Sequence, residues 1–534
     1  MSELKLAFNK RTHKNHLVKA SGDSVEFDYG ALAESIRLDK LRNLSDLSIP
    51  TNNPNFVGSS ANSVQNILKK LSSPDQISGL VVWYETGEYD NILCYEDGTI
   101  PPNNPCEDNE VCLLWKDQKN SFHLKEATNG LTYQGPNGGD ADVPGGKGRL
   151  VADGVNDVLI ETTVANWKFL HNGGGGTLIV VCKTTNEVNA VIADTTNALT
   201  GIGFYLANDD ASTAEGRATL AIRNASGNIL VAQANLTANV FPVAAWHSIE
   251  GNWITGNNGE VWVDGCKVAS TAASGSASTA DSAEALNIGK SGATFYANSY
   301  AGIFAYNKVL TVAERRKIMA YIGIRYAIPV FNIACLGDSI TSLGISSSAW
   351  STKLVNLLGP LWSVTNKGVS GAVVNDAAGT DIYNDQWLHT TNGVKSQRYN
   401  WVTVLGGIND IRNLTDSAAT IFARLKTMLD EIVAETDMRM LLCSILPWKD
   451  TTVGTGWTAT KQATTLAYNE LIRQYVIDNS SRVFFIDMYT LMGSPNDSAR
   501  MRTEYDNDNL HPNQLGSDVM ATAFADALFQ IDWF

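Results

Sequence analysis

The pattern of apolar residues changes character twice along the 534-residue chain, and these two changes limit the folds it can adopt. From Ile77, short apolar or alternating runs are separated by Gly, Asn and Asp, a pattern typical of many short strands in an all-β sandwich. After Pro329, apolar strands alternate with amphipathic helices, which predicts a parallel sheet covered on both faces. We therefore predict three parts: residues 1–76, a β-sandwich over residues 77–330, and an α/β/α domain over residues 331–534.

The first part is polar and mixed, with one amphipathic helical candidate at Val64 to Leu71. Turn-forming residues are frequent, as in the stretch from Pro50 to Pro54. Such a segment cannot bury much apolar surface by itself. We expect residues 1–76 to be an attachment or assembly segment that packs on a partner chain.

The second part has eight clear strand candidates and one hairpin signal. The dipeptide Asp264-Gly265 supplies positive φ at a tight turn between two strands. The Ser/Ala/Thr/Gly tract from Ser270 to Ala283 is interpreted as a surface loop, and Gly173 to Gly176 as a hairpin turn that lacks the Lys of a phosphate loop. The strand candidates are Leu80 to Trp83, Val111 to Trp115, Asp157 to Ile160, Thr177 to Lys183, Gly203 to Leu206, Leu220 to Arg223, Trp246 to Trp253 and Glu260 to Val263.

Charge and cysteine usage exclude several classes of partner. The formal net charge is -15 with no basic stripe, which argues against a nucleic-acid partner. The seven cysteines lack Cys-x-x-Cys spacing and are interpreted as buried thiols, although Cys94, Cys106 and Cys112 are near enough in sequence for one pair to form. Asp153 and Asp157 could bind calcium, but a turn explains them better. No metal and no cofactor are expected.

No apolar signal-peptide core follows Met1, and no later stretch is long enough to cross a bilayer. We therefore expect a protein that is made in the cytoplasm and has no membrane partner. The tryptophans of the second part are expected in its core rather than as sugar platforms; they are Trp83, Trp115, Trp246, Trp253 and Trp262.

In the third part, strands and helices alternate strictly. Functional side chains of open parallel sheets lie beyond the carboxyl ends of the strands, so residues at those positions are candidates for the site. The strand candidates are Val330 to Leu336, Val364 to Asn366, Trp401 to Leu405, Met438 to Ile445 and Val483 to Ile486. The helix candidates are Ala349 to Leu358, Asp416 to Glu435, Ala459 to Asn479 and Gln514 to Phe529.

Ser339 directly follows the first of these strands and is the candidate nucleophile. A serine hydroxyl needs a base, and His511, just before the last helix, has Asp508 three residues upstream. In a turn this spacing lets the carboxylate accept a hydrogen bond from one ring nitrogen while the other faces Ser339. Asp506 is a rival acid, and Ser339 could instead cap a helix. His389, the other histidine of this part, is interpreted as a surface or packing residue.

Two further strand ends could supply an oxyanion hole. Asn409 follows the strand Trp401 to Leu405, and its amide could donate to a developing oxyanion or cap a helix near Ile411. The stretch Asn366-Lys367-Gly368-Val369-Ser370-Gly371 follows another strand, and its glycines let a backbone N–H approach the same oxygen.

The four blocks around Ser339, Gly371, Asn409 and His511 resemble the SGNH hydrolase (GDSL-like esterase) family over about Phe331 to Phe534. The resemblance implies a flavodoxin-like α/β/α fold and ester hydrolysis, with Ser339 as nucleophile, His511 as general base and Asp508 as its orienting carboxylate. It also implies an oxyanion hole formed by the Ser339 and Gly371 N–H groups and the Asn409 side chain. Gly368 and Gly371 could exchange this role.

Two other resemblances concern the preceding parts. Leu286 to Gly289, Tyr300 to Tyr306 and the helix Thr311 to Arg325 resemble the closing segment of the concanavalin-like (laminin G-like) family, over about Ile77 to Ile328. Leu41 to Leu47 with Asn62 to Leu71 resembles the amino-terminal parts of bacteriophage tail fibres and tailspikes.

Together these resemblances imply a carbohydrate esterase that removes O-acetyl groups from a host surface polysaccharide, as part of the virion tail. The partners expected are the glycan, other virion proteins through residues 1–76, and further copies of the chain in a homo-oligomer such as a trimer. Two alternatives stay open: a non-catalytic glycan-binding adhesin, and a bacterial carbohydrate esterase outside a virion.

Overall fold

The structure of the chain is a computed structural model. It describes residues 4–9, 14–19, 24–27, 73–86, 92–94, 104–126, 129–135, 146–184, 190–208, 217–235, 245–342, 349–359, 361–375, 379–390, 393–397, 399–414, 416–450 and 456–531. The helix expected at Val64 to Leu71 and the stretch Leu41 to Leu47 lie outside these residues. Near the amino terminus, three strands that the sequence did not predict form an antiparallel sheet: β1 (Leu4–Asn9), β2 (Lys14–Lys19) and β3 (Ser24–Phe27).

From Leu71 onwards the chain divides into two compact units, and the boundary between them lies between Phe331 and Asn332. The strands of the first unit are short and antiparallel. They are β4 (Leu80–Glu85), β5 (Ile92–Cys94), β6 (Asn104–Pro105), β7 (Leu114–Trp115), β8 (Leu124–Lys125), β9 (Thr132–Gln134), β10 (Arg149–Val151), β11 (Leu159–Glu161), β12 (Gly176–Thr184), β13 (Ala190–Asp194), β14 (Gly203–Asn208), β15 (Arg217–Asn224), β16 (Gly227–Asn235), β17 (His247–Trp253), β18 (Asn258–Val263), β19 (Cys266–Ala272), β20 (Leu286–Ile288), β21 (Lys290–Ser291), β22 (Thr294–Phe295) and β23 (Asn298–Tyr306).

Two large sheets build this unit. One has the order β19-β18-β17-β12-β23-β10-β9, with β4 also paired to β23, and the other has the order β16-β15-β14-β13-β20-β11-β8-β7-β5-β6. A single cluster of buried side chains receives residues from both sheets, among them Val180 and Ile303 from the first and Leu220 and Ile288 from the second. Burial of this apolar surface is the main favourable term in the stability of the unit.

Most strand predictions for this unit are confirmed, with shifted ends. The predicted strand Val111 to Trp115 is wrong in extent, because β7 covers only Leu114–Trp115 and Val111 makes an isolated bridge to Thr132. The Asp264-Gly265 turn is confirmed, with φ of 48° and 73° between β18 and β19. The loop predicted from Ser270 begins later, since Ser270 still pairs with Glu260 in β19.

The closing helix α1 (Val312–Tyr326) also matches its prediction, and short 3-10 helices occur at Pro74–Gln76 and Val164–Leu170. Thr311 caps α1 by accepting the Glu314 N–H, while the Glu314 side chain accepts the Thr311 N–H. Trp115, Trp253 and Trp262 are buried, as expected, whereas Trp83 and Trp246 are partly exposed. All seven cysteines are buried thiols.

The second unit has a five-stranded sheet in the order β25-β24-β26-β27-β28, and the pairs β24–β26, β26–β27 and β27–β28 are parallel. Chain order along the sheet reverses between β24 and β26, and ligand crevices of open sheets lie at such a reversal. The strands are β24 (Phe331–Gly337), β25 (Trp362–Asn366), β26 (Trp401–Leu405), β27 (Arg439–Cys443) and β28 (Val483–Ile486). The helices are α2 (Ser339–Ser342), α3 (Trp350–Leu358), α4 (Val394–Gln397), α5 (Ala418–Glu435), α6 (Ala459–Asp478), α7 (Met488–Met492) and α8 (Gln514–Gln530).

The four long helices of this unit, α3, α5, α6 and α8, begin and end within two residues of the predicted positions. In α5, the apolar residues three and four apart form the buried face: Ile421, Leu425, Met428, Leu429 and Ile432 are at most 1% exposed. The side chains of Ser417, Thr458 and Asn513 cap α5, α6 and α8. The sequence missed α2, α4 and α7 and the π-helical turns Tyr383–Trp387 and Asp410–Leu414. Among the described helices, none combines the length and apolar character needed to cross a membrane.

Candidate active site

Ser339 lies where β24 ends and α2 begins. The turn between these elements is tight: a Cβ on Gly337 would lie 2.2 Å from the Thr341 hydroxyl oxygen, so only glycine fits there. Asp338 accepts the Ile340 N–H on Oδ1 and the Thr341 and Ser342 N–H groups on its carbonyl oxygen. These contacts hold the first turn of α2 and leave the Ser339 hydroxyl at the carboxyl end of the sheet.

The imidazole of His511 faces this hydroxyl. Its Nε2 lies 2.9 Å from Ser339 Oγ, and its Nδ1 lies 2.8 Å from Asp508 Oδ2. The other oxygen of Asp508, Oδ1, accepts the His511 N–H at 2.7 Å and the Leu510 N–H at 3.1 Å. Asn509 between them has a φ of 67°, the left-handed conformation that reverses the chain. The structure therefore brings together the three residues that the sequence selected.

Asp508 keeps its charge in this arrangement. Partial burial opposes ionisation, but the hydrogen bonds from the His511 ring and backbone outweigh it and lower the pKa of Asp508 below its ordinary value. The rival acid Asp506 instead accepts the Asn509 N–H at 2.6 Å. Asp506 therefore shapes the turn and Asp508 orients the ring.

Asn409 and the Gly368–Gly371 turn lie against each other. Asn409 is 5% exposed, and its Nδ2 donates to the Ala372 carbonyl at 3.0 Å, so its side chain binds the turn rather than capping a helix. The Val369 N–H donates in turn to the Gly337 carbonyl at 3.0 Å. These bonds connect the turn to both Asn409 and β24, the strand that precedes Ser339.

The two glycines of this turn differ. The Gly368 N–H already donates to Asn366 Oδ1 at 2.9 Å, and a Cβ on Gly368 would lie 2.5 Å from the Ser342 nitrogen. Gly371 has a φ of +80°, is exposed, and its N–H has no hydrogen-bond partner among the described residues. Gly368 thus permits close packing, whereas Gly371 offers the N–H that an oxyanion could use.

Comparison with protein families supports the resemblance seen in the sequence. Residues 335–519 match the family described as GDSL-like Lipase/Acylhydrolase. This stretch is a GDSL-like acylhydrolase domain. It contains Ser339, Gly371, Asn409, Asp508 and His511. Comparison of the chain with curated proteins gave no match.

Several solved structures resemble a part of the chain. A GDSL-like lipase from Bacteroides thetaiotaomicron is 18% identical, with 37% of this chain and 87% of that chain covered and a TM-score of 0.30. A carbohydrate acetylesterase family member from Sinorhizobium meliloti is 14% identical, with coverages of 37% and 97% and a TM-score of 0.29. The aryl esterase of M. smegmatis is 15% identical, with coverages of 37% and 98% and a TM-score of 0.29.

Gln386 is a residue of the GDSL-like domain that the sequence did not indicate. It lies in the π-helical turn Tyr383–Trp387, is 2% exposed, and pairs through its amide with the N–H and the carbonyl of Gly337. It thereby holds the last peptide of β24, two residues before Ser339. A glutamine in an irregular turn has no local sequence signal for such a role.

Two buried carboxyl groups lie directly next to the candidate residues of the GDSL-like domain. Asp338 precedes Ser339 and Asp410 follows Asn409, and their exposed fractions are 1% and 0%. Burial, and secondarily the negative charge of Asp410, raises the pKa of Asp338 to about 7. Burial also raises the pKa of Asp410 to about 6, although Asp410 Oδ2 accepts the Val374 N–H at 3.0 Å.

The segment next to the His511 loop in the GDSL-like domain is polar. The Lys449 N–H donates to the Asn509 carbonyl at 2.9 Å, and Lys449 Nζ pairs with Asp497 at 2.8 Å. Arg500 Nη1 donates to Asn509 Oδ1 at 3.2 Å. Charged groups of both signs thus lie beside the turn that holds the imidazole.

The remaining sequence candidates lie outside this site. His389 is exposed, as expected for a surface residue. In the first unit, Asp153 Oδ1 accepts the Val155 N–H at 2.7 Å and Asp157 Oδ2 accepts the Asp153 N–H at 3.0 Å. Their carboxylates therefore stabilise a turn, as the sequence predicted.

Proposed function

We propose that the GDSL-like domain is a serine esterase that removes O-acetyl groups from a polysaccharide, with Ser339 as nucleophile, His511 as general base and Asp508 as the carboxylate that orients it. The observation that carries this proposal is the pair of contacts at 2.9 Å and 2.8 Å that the two His511 ring nitrogens make with Ser339 and Asp508. Such a chain of contacts activates a hydroxyl that is otherwise a weak nucleophile.

The reaction proceeds by acyl transfer in two halves. Ser339 Oγ attacks the ester carbonyl carbon while its proton moves to His511 Nε2. The tetrahedral intermediate then collapses, and the sugar hydroxyl leaves with the proton from Nε2. Water attacks the acetyl-serine in the same way, giving its proton to Nε2, and acetate leaves as the Ser339 hydroxyl is restored.

The oxyanion of each intermediate would accept hydrogen bonds from the Ser339 N–H, the Gly371 N–H and the Asn409 amide. Asn409 uses one of its two amide hydrogens on Ala372, which orients the amide and leaves the other for the substrate oxygen. Fixed donors of this kind stabilise charge that appears only in the transition state.

The choice of a sugar ester over a lipid ester is supported by the polar segment beside the site. Lys449, Asp497 and Arg500 place charged groups next to the His511 turn, where a long acyl chain would need apolar contacts. Trp457 adds an aromatic ring that stacks with Lys449, 4.6 Å from the ammonium to the ring centroid. Polar groups with an aromatic face suit a carbohydrate.

The test compares the wild-type chain with Ser339→Ala on a chromogenic acetyl ester and on a panel of acetylated bacterial capsules. We expect the wild type to release acetate, detected by mass spectrometry, and Ser339→Ala to lose at least about 1,000-fold in rate. If the two are equally inert on every substrate, the esterase proposal fails and the adhesin remains. Hydrolysis of the chromogenic ester without acetate from any capsule would retain the esterase and reject the polysaccharide.

We propose that residues 77–330 form a concanavalin-like sandwich that binds or presents glycan, and that residues 331–534 have the flavodoxin-like fold, which the order β25-β24-β26-β27-β28 supports. The resemblance to tail fibres also predicts that residues 1–76 attach the chain to a virion and that the chain forms a homo-oligomer. Light scattering of the purified chain would measure the number of copies.

A further inference from the structure

Three thiols and one carboxylate meet at an edge of the first unit, far in sequence from the proposed esterase site. The reactive atoms of Cys94, Cys106 and Glu110 all lie within 4.8 Å of one another. Cys94 Sγ lies 2.9 Å from Glu110 Oε2, and the Cys106 thiol is within hydrogen-bonding reach of both the Cys94 and the Cys112 thiols. We call Cys94, Cys106, Glu110 and Cys112 the thiol cluster.

The backbone around the thiol cluster is held in place on every side. Cys94 ends β5, Cys106 follows β6, and the Cys106 N–H donates to the Ile92 carbonyl at 3.0 Å. The Cys112 N–H donates to Leu131 at 2.7 Å. The sulfur atoms therefore converge because the strands place them there.

The turn from Cys106 to Cys112 directs the carboxylate into the cluster. Asn109 reverses the chain with a φ of 66°, and its N–H donates to the Tyr133 carbonyl at 2.8 Å. Glu110 Oε2 then accepts the Glu107 N–H at 2.6 Å in addition to the Cys94 thiol. A carboxylate held against a nearly buried thiol is unusual for a hydrophobic core, where cysteine packs as a small apolar residue.

The geometry points to a structural zinc site formed by Cys94, Cys106, Cys112 and Glu110. Zinc prefers four ligands, and thiolates and carboxylates are among its usual ones. Zn–S bonds of about 2.3 Å set ligand atoms roughly 3.8 Å apart in a tetrahedron, so Cys94, Cys106 and Glu110, which lie within 4.8 Å of one another, need a contraction of only about 1 Å. Cys112 lies outside this group of three and must approach further to become the fourth ligand. Cys94 is 6% exposed, Cys106 1% and Cys112 0%, so the three thiols are sheltered from solvent, whereas Glu110 is exposed and would bind the ion from the surface side.

A zinc ion would explain how this edge of the sheet is stabilised. β5, β6 and β7 have three, two and two residues, so their ladders supply few hydrogen bonds. β6 is also the last strand of its sheet. Bonds from one ion to Cys94, Cys106 and the following turn would cross-link these strands. A disulfide could join only two of the three thiols and would not involve the Glu110 carboxylate.

The test measures zinc in the full chain, purified without a metal-binding tag. We expect about one zinc per wild-type chain by mass spectrometry, more than about tenfold weaker zinc binding in Cys94→Ala and Glu110→Gln, and a lower melting temperature of the wild type after chelation. Cys182→Ala is the matched control, since Cys182 is another buried thiol of the same core and lies outside the thiol cluster; it should bind zinc normally.

A second measurement separates zinc from a disulfide and does not depend on folding of the variants. The denatured wild-type chain should show all seven cysteines as free thiols after chelation. Five free thiols would show a disulfide and overturn the proposal. A zinc-free wild type that takes up no added zinc would also overturn it, as would equal zinc binding by Cys94→Ala and Cys182→Ala.

Discussion

The side-chain amide of Gln386 pairs with the backbone of Gly337 in both directions. Oε1 accepts the Gly337 N–H at 2.9 Å, and Nε2 donates to the Gly337 carbonyl at 2.7 Å. The amide thus acts as a short strand beside the last residue of β24. Because Ser339 is only two residues further on, this pairing fixes the backbone from which the proposed nucleophile projects.

Replacing Gln386 with Ala should therefore lower kcat by at least about tenfold with little change in KM, because Ser339 would lose its fixed position relative to His511. The free energy of unfolding should fall by about 1–3 kcal/mol, since the buried Gly337 N–H loses the Gln386 acceptor, while the Gly337 carbonyl retains the Val369 N–H. Steady-state kinetics on a chromogenic acetyl ester and urea unfolding measure both. The control Gln474→Ala removes an exposed amide and should change neither. An unchanged kcat in folded Gln386→Ala would contradict the role.

The carboxylate pair Asp508 and Asp506 offers a comparison within one turn. Asp508→Asn should reduce kcat strongly, because an amide in place of the carboxylate can favour the wrong tautomer of the His511 ring. The corresponding change in a well-studied protease triad lowers kcat on the order of 10⁴-fold. Asp506→Asn should keep most of the activity, since the Asp506 carboxylate accepts the Asn509 N–H and does not bind the imidazole. Kinetics of the two variants at one pH measure the difference. Equal losses would mean that the shape of the turn, and not the Asp508 contact, sets the activity.

The positions of Ser339, Asn409 and His511 could be predicted from sequence because parallel strands end at one edge of a sheet. Apolar strands located those ends, and a turn with three-residue spacing located Asp508. The resemblance already favoured Gly371 over Gly368 as the oxyanion donor, whereas Gln386 could not be predicted. The Gln386 side chain reaches Gly337 across a sequence separation of 49 residues, which no local pattern records.

The first unit shows the same limit. The Asp264-Gly265 turn was predictable because positive φ has a local residue signature. The thiol cluster was not, because Cys94 and Cys106 meet only through the pairing of β5 with β6, strands of three and two residues. The extent of β7 was overestimated for a related reason: Val111 alternates like a strand residue, but its pairing is a single bridge to Thr132.

Asn409→Ala should separate catalysis from binding. If the Asn409 amide stabilises the oxyanion, kcat should fall by about 10² to 10³-fold while KM changes little, because the bond forms only in the transition state. Loss of the Asn409–Ala372 hydrogen bond should also cost about 1–3 kcal/mol of unfolding free energy. Kinetics must therefore be measured well below the melting temperature. A rise in KM at constant kcat would instead place Asn409 in substrate binding.

The buried carboxyl group of Asp338 should make the stability of the GDSL-like domain depend on pH in an unusual direction. Burial raises the pKa of Asp338 to about 7, from an ordinary value of 3.8, so the folded protein holds a proton that the unfolded chain loses near pH 4. This stabilisation is complete below the unfolded pKa and is lost as the pH rises through about 7, with a slope of up to about 1.4 kcal/mol per pH unit.

Asp410 changes the stability in the same direction up to about pH 6, whereas Asp508, whose pKa is lowered, affects it only below the ordinary pKa of an aspartate. The measurement is urea unfolding at several pH values between about pH 5 and pH 7. The free energy of unfolding should fall less steeply with rising pH in Asp338→Asn than in the wild type. Identical slopes would mean that Asp338 is ionised in the folded protein throughout this range.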